Sequence, residues 1–398
     1  MNIKTTLKSS VAAAALFAIA APVAPSVNAA DDTLKSGNKN SLTMSGFVAR
    51  GLWYADDGIS NSLFNSDGST STSRVRWVAS GTMNENVTAG SMIELTLPRS
   101  NNQALLNLGT QAGGPGEDGT ETVTNSSWGV RHTFVWVNHK RMGKISLGQT
   151  NSASNGRSET SFSGTNMVDL SSGSPFGDGI RFVDTTAGTG SPTLSGVTVG
   201  QAYTNLDGRS RTDVLRYDTP RFAGLSLATS YIAGGDWDVG ADYKVKKGAL
   251  TIRVQAQYNN SNAGQSVGDT TITESSMSMS AGALHDSGLN GAVAFGQASL
   301  GGVGNAARGG DPSFRNMNIG YRAKIFAVGG TNFSFNWNHT EDNGGGNSEG
   351  DALGITVAQI FSPIGANMAL TYRNYSYDTS TNTFDDIDIF GLQTIFNF

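Results

Sequence analysis

The chain contains no cysteine. That excludes disulfide staples and thiolate chemistry, so the chain must take its rigidity from elsewhere. It also lacks long apolar runs. No segment approaches the ~20 consecutive apolar residues that a membrane-crossing helix needs. Hydrophobic residues make up only 37%, and mean hydropathy is slightly negative. These values do not exclude a membrane barrel, whose strands carry apolar residues only at alternate positions. Charge is sparse and mildly acidic, 27 Lys+Arg against 32 Asp+Glu, which argues against a nucleic-acid partner. The four histidines, His132, His139, His285 and His339, do not fall in the linear spacing of a zinc site. No Walker-type phosphate loop is present, and serine is so frequent that a chance nucleophile motif carries little information. The chain therefore reads as a non-enzyme with no resident cofactor.

What is present begins with a targeting segment. Lys4 and Lys8 form a positive start, Val11 to Ala21 an apolar run, and Val27-Asn28-Ala29 a small-residue cleavage site. Residues 1–29 are predicted to be a cleaved signal peptide, leaving 30–398 as one unit. Loss of the two lysines takes the net charge from −5 to −7. Glycine is abundant at 51 residues, which suits turns and strands and suits long helices badly.

The mature sequence alternates with period two, the signature of strands with one apolar and one polar face. Leu250, Ile252, Val254, Ala256 and Tyr258 oppose Thr251, Arg253, Gln255, Gln257 and Asn259. Phe333, Phe335, Trp337 and His339 oppose Ser334, Asn336, Asn338 and Thr340. Trp128, Val130, Phe134 and Trp136 are assigned to one face, opposite Gly129, Arg131 and Thr133. Sixteen such runs are predicted, starting at 41–54 and ending at 386–398. Tight turns such as 84–86, 140–142 and 220–221 alternate with long polar links at 55–72, 98–127, 151–210, 260–272, 300–313, 341–350 and 378–385. Only 233–235 is short where a long link is due. Short turns on one side and long loops on the other mark an outer-membrane barrel. A soluble sandwich rarely carries this many long strands. The expected fold is therefore all-β, a closed transmembrane antiparallel barrel. Trp53, Tyr54, Trp128, Trp136, Tyr231, Tyr258 and Tyr372 are placed at its interfacial girdles. At the C-terminus, Phe390, Leu392, Thr394, Phe396 and Phe398 share a face. Phe398 and Phe396 are the expected assembly signal for the barrel assembly machinery.

Three stretches carry a family resemblance: Ser41-Leu-Thr-Met-Ser-Gly-Phe-Val, Gly143-Lys-Ile-Ser-Leu-Gly-Gln-Thr, and Leu215-Arg-Tyr-Asp-Thr-Pro220 followed by Ala223-Gly-Leu-Ser-Leu. They resemble the general bacterial porins of Gram-negative outer membranes, especially the alphaproteobacterial branch. The resemblance implies a homotrimer of sixteen-stranded barrels in contact with membrane lipid and lipopolysaccharide, each with a third loop folded into its lumen. The third-loop region here, 151–210, is very long. Its strand-like pieces, 179–185 and 193–204, would make eighteen strands if they joined the wall.

A diffusion channel selects solutes by fixed charges around a hydrated constriction. The polar faces supply Arg74, Arg76, Arg131, Arg216, Arg253, Arg322 and Arg373, which must avoid mid-membrane lipid at a cost of ~2–4 kcal/mol each. The long loop supplies Glu159, Asp169 and Asp178. The expectation is an arginine row on the wall facing loop acids across the gap. The net charge leans toward cation selectivity, and the arginines pull the other way. Arg50 shares parity with apolar residues, so a bulge or a subunit contact is needed to explain it. Glu341-Asp342-Asn343 and Glu349-Gly350-Asp351 could hold calcium in an external loop, although a solvated acidic loop is the favoured reading. The function expected is passive diffusion of small hydrophilic solutes and ions. The alternatives are a substrate-specific channel of the same barrel class and a structural or adhesive surface protein.

Overall fold

The computed structural model describes residues 34–35, 40–66, 72–96, 108, 128–168, 177–188, 193–260, 273–300, 310–345 and 347–398. The expected signal peptide, 1–29, and the loop acid Asp169 lie outside them.

Sixteen antiparallel strands form the wall. They are β1 (Ser41–Asp56), β2 in two pieces (Asn61–Ser66 and Arg74–Asn84), β3 (Val87–Thr96), β4 (Gly129–His139), β5 (Gly143–Asn151) and β6 (Arg211–Asp218). Next come β7 (Leu225–Ile232), β8 (Trp237–Lys247), β9 (Leu250–Asn260), β10 (Thr273–His285) and β11 (Leu289–Leu300). The last five are β12 (Ser313–Phe326), β13 (Gly329–Glu341), β14 (Glu349–Phe361), β15 (Ala366–Asp378) and β16 (Ile387–Asn397). Each strand pairs with its chain neighbour. β16 pairs with β1 from Phe47↔Asn397 to Asp56↔Asp388 and so closes the cylinder. Closure leaves no open edge, which is the condition for a sheet to sit in lipid. No helix among the described residues is long and apolar enough to cross a membrane; the strands do so instead.

The two faces follow from the alternation. Leu227, Tyr231, Val239, Val293, Phe295, Ile319, Ile355, Leu370 and Phe390 are exposed on the outside. Asp238, Gln255, Ser280, Asn316, Asn336 and Thr356 are buried on the inside. An apolar exterior over a polar interior inverts the soluble arrangement, as lipid outside and water inside require.

Several expectations change. The link 55–72 is partly strand: Asn61–Ser66 returns along β1, after a turn in which Asp57 Oδ1 accepts from Ile59 N (3.1 Å) and Ser60 N (2.7 Å). The pieces at 179–185 and 193–204 do not enter the wall. Arg181–Asp184 pairs with Thr193–Thr198, and one helical turn, Val199–Ala202, follows. The wall keeps sixteen strands because this hairpin buries Phe182 against Tyr377, with ring centroids 5.0 Å apart. The short link 233–235 stands: Ile232 N donates to Asp236 O at 2.8 Å, closing the turn.

Two girdle assignments fail. Trp53 is on the inner face and 1% exposed. Its indole occupies the space where Gly51 and Gly391 have no side chain. Trp136 turns inward because β4 carries a bulge. Glu94 pairs with His132 and Leu95 with Val130, leaving Arg131 as an extra residue. The bulge reverses parity beyond it, since one inserted residue flips every later side chain. Val135 and Val137 are exposed outside. Phe134 and Trp136 meet the Lys144 ammonium at 5.5 and 5.7 Å. Arg50 points outward with Val48 and Leu52, and its register with Thr394 is unbroken, so no bulge accounts for it.

Candidate functional site

The connection between β5 and β6 is held by hydrogen bonds between its backbone and side chains of the polar strand faces. Ala153 N donates to Ser230 Oγ (2.7 Å), and Ser154 donates to Asp238 Oδ2 from both N (3.0 Å) and Oγ (2.6 Å). Ser280 Oγ donates to Arg157 O at 2.6 Å. The Thr160 hydroxyl and the Gln255 amide are 2.8 Å apart. Farther on, Arg322 Nε donates to Phe162 O (2.5 Å), Asn332 Nδ2 to Gly164 O (3.1 Å) and Arg373 Nη2 to Val168 O (3.2 Å). These partners belong to β7, β8, β9, β10, β12, β13 and β15. The loop backbone therefore finds acceptors and donors around almost half the wall, which meets the requirement that buried backbone groups be paired.

The second half of the connection packs differently. Val199, Ala202 and Tyr203 join Trp53, Phe64, Leu108, Tyr375, Ile387 and Ile389 in an apolar cluster. Tyr203 lies 5.3 Å from Tyr375, and its hydroxyl donates to Asp351 O (3.0 Å) and Ser376 O (2.5 Å). The inner faces of β15 and β16 are apolar here, so part of the barrel interior is filled with side chains.

The charges sort into groups. Arg74, Arg76 and Arg131 come together on one carboxylate, Glu94, which is fully buried. Arg131 Nε donates to Glu94 Oε1 at 2.8 Å, Arg76 Nε to Oε2 at 2.5 Å, and Arg74 Nη1 lies 3.6 Å away. Arg74 also covers the Phe47 ring at 4.8 Å. Arg253 donates to Asp242 at 2.8 Å, and the same carboxylate faces Arg157 and Arg221 at 3.7 and 3.3 Å. Arg216 is buried and clamps Asp218 (2.6 Å) together with the carbonyls of Asn151 (3.0 Å) and Ser152 (2.8 Å). Arg373 is 0% exposed beneath the loop. The last two, with Arg322, hold the loop.

Glu159 accepts from Asn205 Nδ2 at 3.2 Å and sits beside Asp207, which accepts from Gly156 N (2.9 Å) and Ser158 Oγ (3.0 Å). Burial, then the neighbouring Asp207 charge, pushes the Glu159 carboxyl up to about 8. Burial also raises Asp207 and pushes Asp178 up to about 7. Two carboxyls sharing a poorly hydrated site cannot both ionise easily. Phe396 and Phe398 lie on the outer face and are exposed. The terminal residue pairs with Gly46 through its N (3.0 Å) and O (2.9 Å).

The sequence expectation overlooked Glu94, Asp238, Asp242 and Arg211. Glu94 was within reach: Arg76 and Glu94 are symmetric about Glu85 and pair directly across the hairpin. Arg211 links the two charge groups, its field acting on Arg131 and Glu94 on one side and on Glu159 and Asp207 on the other. No signal in the local sequence marks it.

A sequence model of the Gram-negative porins matches residues 10–380. No curated protein sequence matches this chain. Among solved structures, the chain is similar to an anion-selective porin from Comamonas acidovorans, at 14% identity and TM-score 0.58, covering 90% of this chain and 100% of that one. It is similar to the outer membrane channel DcaP of Acinetobacter baumannii, at 13% identity and TM-score 0.56, covering 92% and 99%. It is also similar to the trimer form of OmpT, an outer membrane protein of Vibrio cholerae, at 13% identity and TM-score 0.56, covering 91% and 100%.

Proposed function

This chain belongs to the Gram-negative porin family, and we propose that the loop pinned between Ala153 and Val168 lies within its lumen and sets the constriction of the pore. The protein is an outer-membrane channel for passive diffusion of small hydrophilic solutes and ions. The observation that carries the constriction reading is the run of hydrogen bonds from loop backbone to inward side chains, from Ser230 to Arg373. A segment anchored at so many points cannot swing clear, so solutes pass between it and the strands that bear Arg74, Arg76 and Arg131. Glu159 and Asp207 stand on the loop, within the field of the same Arg211 that acts on Arg131 and Glu94, and add negative charge only as they ionise. Fixed charges around a narrow aqueous gap orient water and dipolar solutes and disfavour apolar ones. No step in this mechanism calls for a nucleophile, a metal or a cofactor.

Three further features belong to the same reading. The chain assembles as a homotrimer, supported by the trimer form of the Vibrio cholerae protein. Arg50, outward between Val48 and Leu52 on β1, then lies at a subunit contact and not in lipid. The outer aromatics meet lipid and lipopolysaccharide, and the terminal Phe398, already seated against Gly46, serves the assembly machinery.

The absence of native cysteine makes the test clean. Ser161→Cys places one thiol on the loop, and a charged methanethiosulfonate reagent is added to the open channel in a planar bilayer. The expected result is a stepwise fall in current as each pore reacts. Complete reaction of the thiol with no change in current would place the loop outside the conducting path.

A further inference from the structure

The loop end of the hairpin formed by β13 and β14 carries a charged cluster on its outer face. His339 pairs across the strands with Asp351, and Glu341 with Glu349. All four share the parity of Phe335 and Ile355, so they project from the outer face where connection 342–348 begins. Glu341 and Glu349, directly opposite one another, are a like-charge cross-strand pair, an arrangement that destabilises a sheet unless something intervenes. Arg315, 3.6 Å from Glu341, supplies one positive charge against three carboxylates.

The imidazole is already oriented. Its Nδ1 faces Asp351 Oδ1 at 3.1 Å, and the same oxygen accepts from Trp337 Nε1 at 2.9 Å. Trp337 stacks on the ring, with centroids 5.9 Å apart at 20°. A carboxylate held by a second donor orients the ring, with Nδ1 toward Asp351 and Nε2 toward the two glutamates. This carboxylate–histidine pairing is the supporting shell of metal-binding histidines. Nε2 faces Glu341 Oε1 at 3.2 Å and Glu349 Oε1 at 3.8 Å. Two ligand atoms on a tetrahedral zinc ion stand about 3.3 Å apart, given ~2.0–2.2 Å bonds to nitrogen and oxygen. The two distances bracket that edge. Ligand atoms of His339, Glu349 and Asp351 lie within 4.8 Å of one another, and Glu341 joins the group through its 3.2 Å approach to Nε2.

We propose that His339, Glu341 and Glu349 form a divalent transition-metal site, occupied by Zn2+, with Asp351 as the residue that positions the imidazole. An imidazole among oxygen donors favours zinc over calcium, which takes oxygen ligands alone. The linear sequence does not suggest the site because its ligands meet only through the register of two strands. Asp351 links the site to the interior, since its carbonyl receives the Tyr203 hydroxyl of the pore loop at 3.0 Å. The proposal does not depend on the pore's selectivity.

The test is isothermal titration of the mature, untagged chain in detergent, with zinc chloride and calcium chloride as separate titrants. One saturable zinc site per chain is expected, with calcium much weaker. His339→Ala should abolish saturable binding. Asp351→Asn, which leaves the ligands in place, should weaken it about 10–100-fold. His285→Ala, at an exposed histidine near the opposite strand ends, should change nothing. Glu349→Gln, at a side chain 68% exposed, carries the test if His339→Ala does not fold. Absence of saturable zinc binding, zinc binding that survives His339→Ala, or calcium binding of equal strength would overturn the proposal.

Discussion

Glu94→Gln removes one charge from the inner wall while keeping the side chain's shape. In the native chain three arginines surround this carboxylate, two of them at 2.5–2.8 Å through Nε. The local balance is three positive charges to one negative, and the substitution leaves three with none. Removing one partner of a buried pair costs about 3–5 kcal/mol. The arginine side chains retain 12–21% exposure, so lumen water offsets part of that, and we expect the lower end, about 3 kcal/mol. The effect on permeation is calculable. A unit charge ~10 Å from an ion in water is worth about 0.4 kcal/mol, and about 0.15 kcal/mol after screening at 0.1 M salt. Anions gain what cations lose, so the chloride-to-potassium permeability ratio should rise about two- to fourfold. The assay is the reversal potential of single channels under a potassium chloride gradient. A folded, conducting variant with an unchanged ratio, or one shifted toward cations, would refute the placement of Glu94 beside the ion path.

Asp238→Asn weakens the acceptor for Ser154 N and Oγ. It should raise current noise and sub-conductance events, because each charge-assisted bond contributes about 1.5–3 kcal/mol; a quiet channel would mean that this anchor is dispensable. Glu159 titrates above its ordinary 4.5, up to about 8. Between those values the folded loop holds a proton that the unfolded chain has released, so the packed loop loses stability as pH rises through the window. Protonation also removes negative charge from the lumen. Anion preference should therefore increase from pH 8 to pH 5, and Glu159→Gln should flatten that profile; an unaltered profile would assign the titration elsewhere. Phe398→Ala should lower the amount of barrel reaching the outer membrane severalfold in a pulse-chase experiment while in vitro refolding in detergent persists. Equal yields would remove Phe398 from the assembly signal.

The wall was legible because a lipid-facing strand must alternate. The run from Leu250 to Asn259 shows both faces without ambiguity, and all sixteen predicted runs correspond to strands. Alternation fails where the backbone adds a residue, so the bulge at Arg131 turned Phe134 and Trp136 to the unexpected face. It also fails where the interior is filled. Trp53 sits inside because Gly51 and Gly391 leave room for its indole, a cross-strand relation that local sequence does not carry. The arginines were visible as polar-face residues, but their division into three around Glu94, one on Asp242 and three that hold the loop, Arg216, Arg322 and Arg373, depends on long-range register. The hairpin at 181–198 read as strand because it is strand; its place was decided by Phe182 finding Tyr377.

Single-channel recording of the purified mature chain in planar bilayers bears most directly on the assignment as a diffusion porin. Large ohmic steps in groups of three, unsaturated by added small solutes, are the expected result. Small steps blocked by one solute would reassign the barrel to specific uptake, and a folded barrel that never conducts would contradict the assignment.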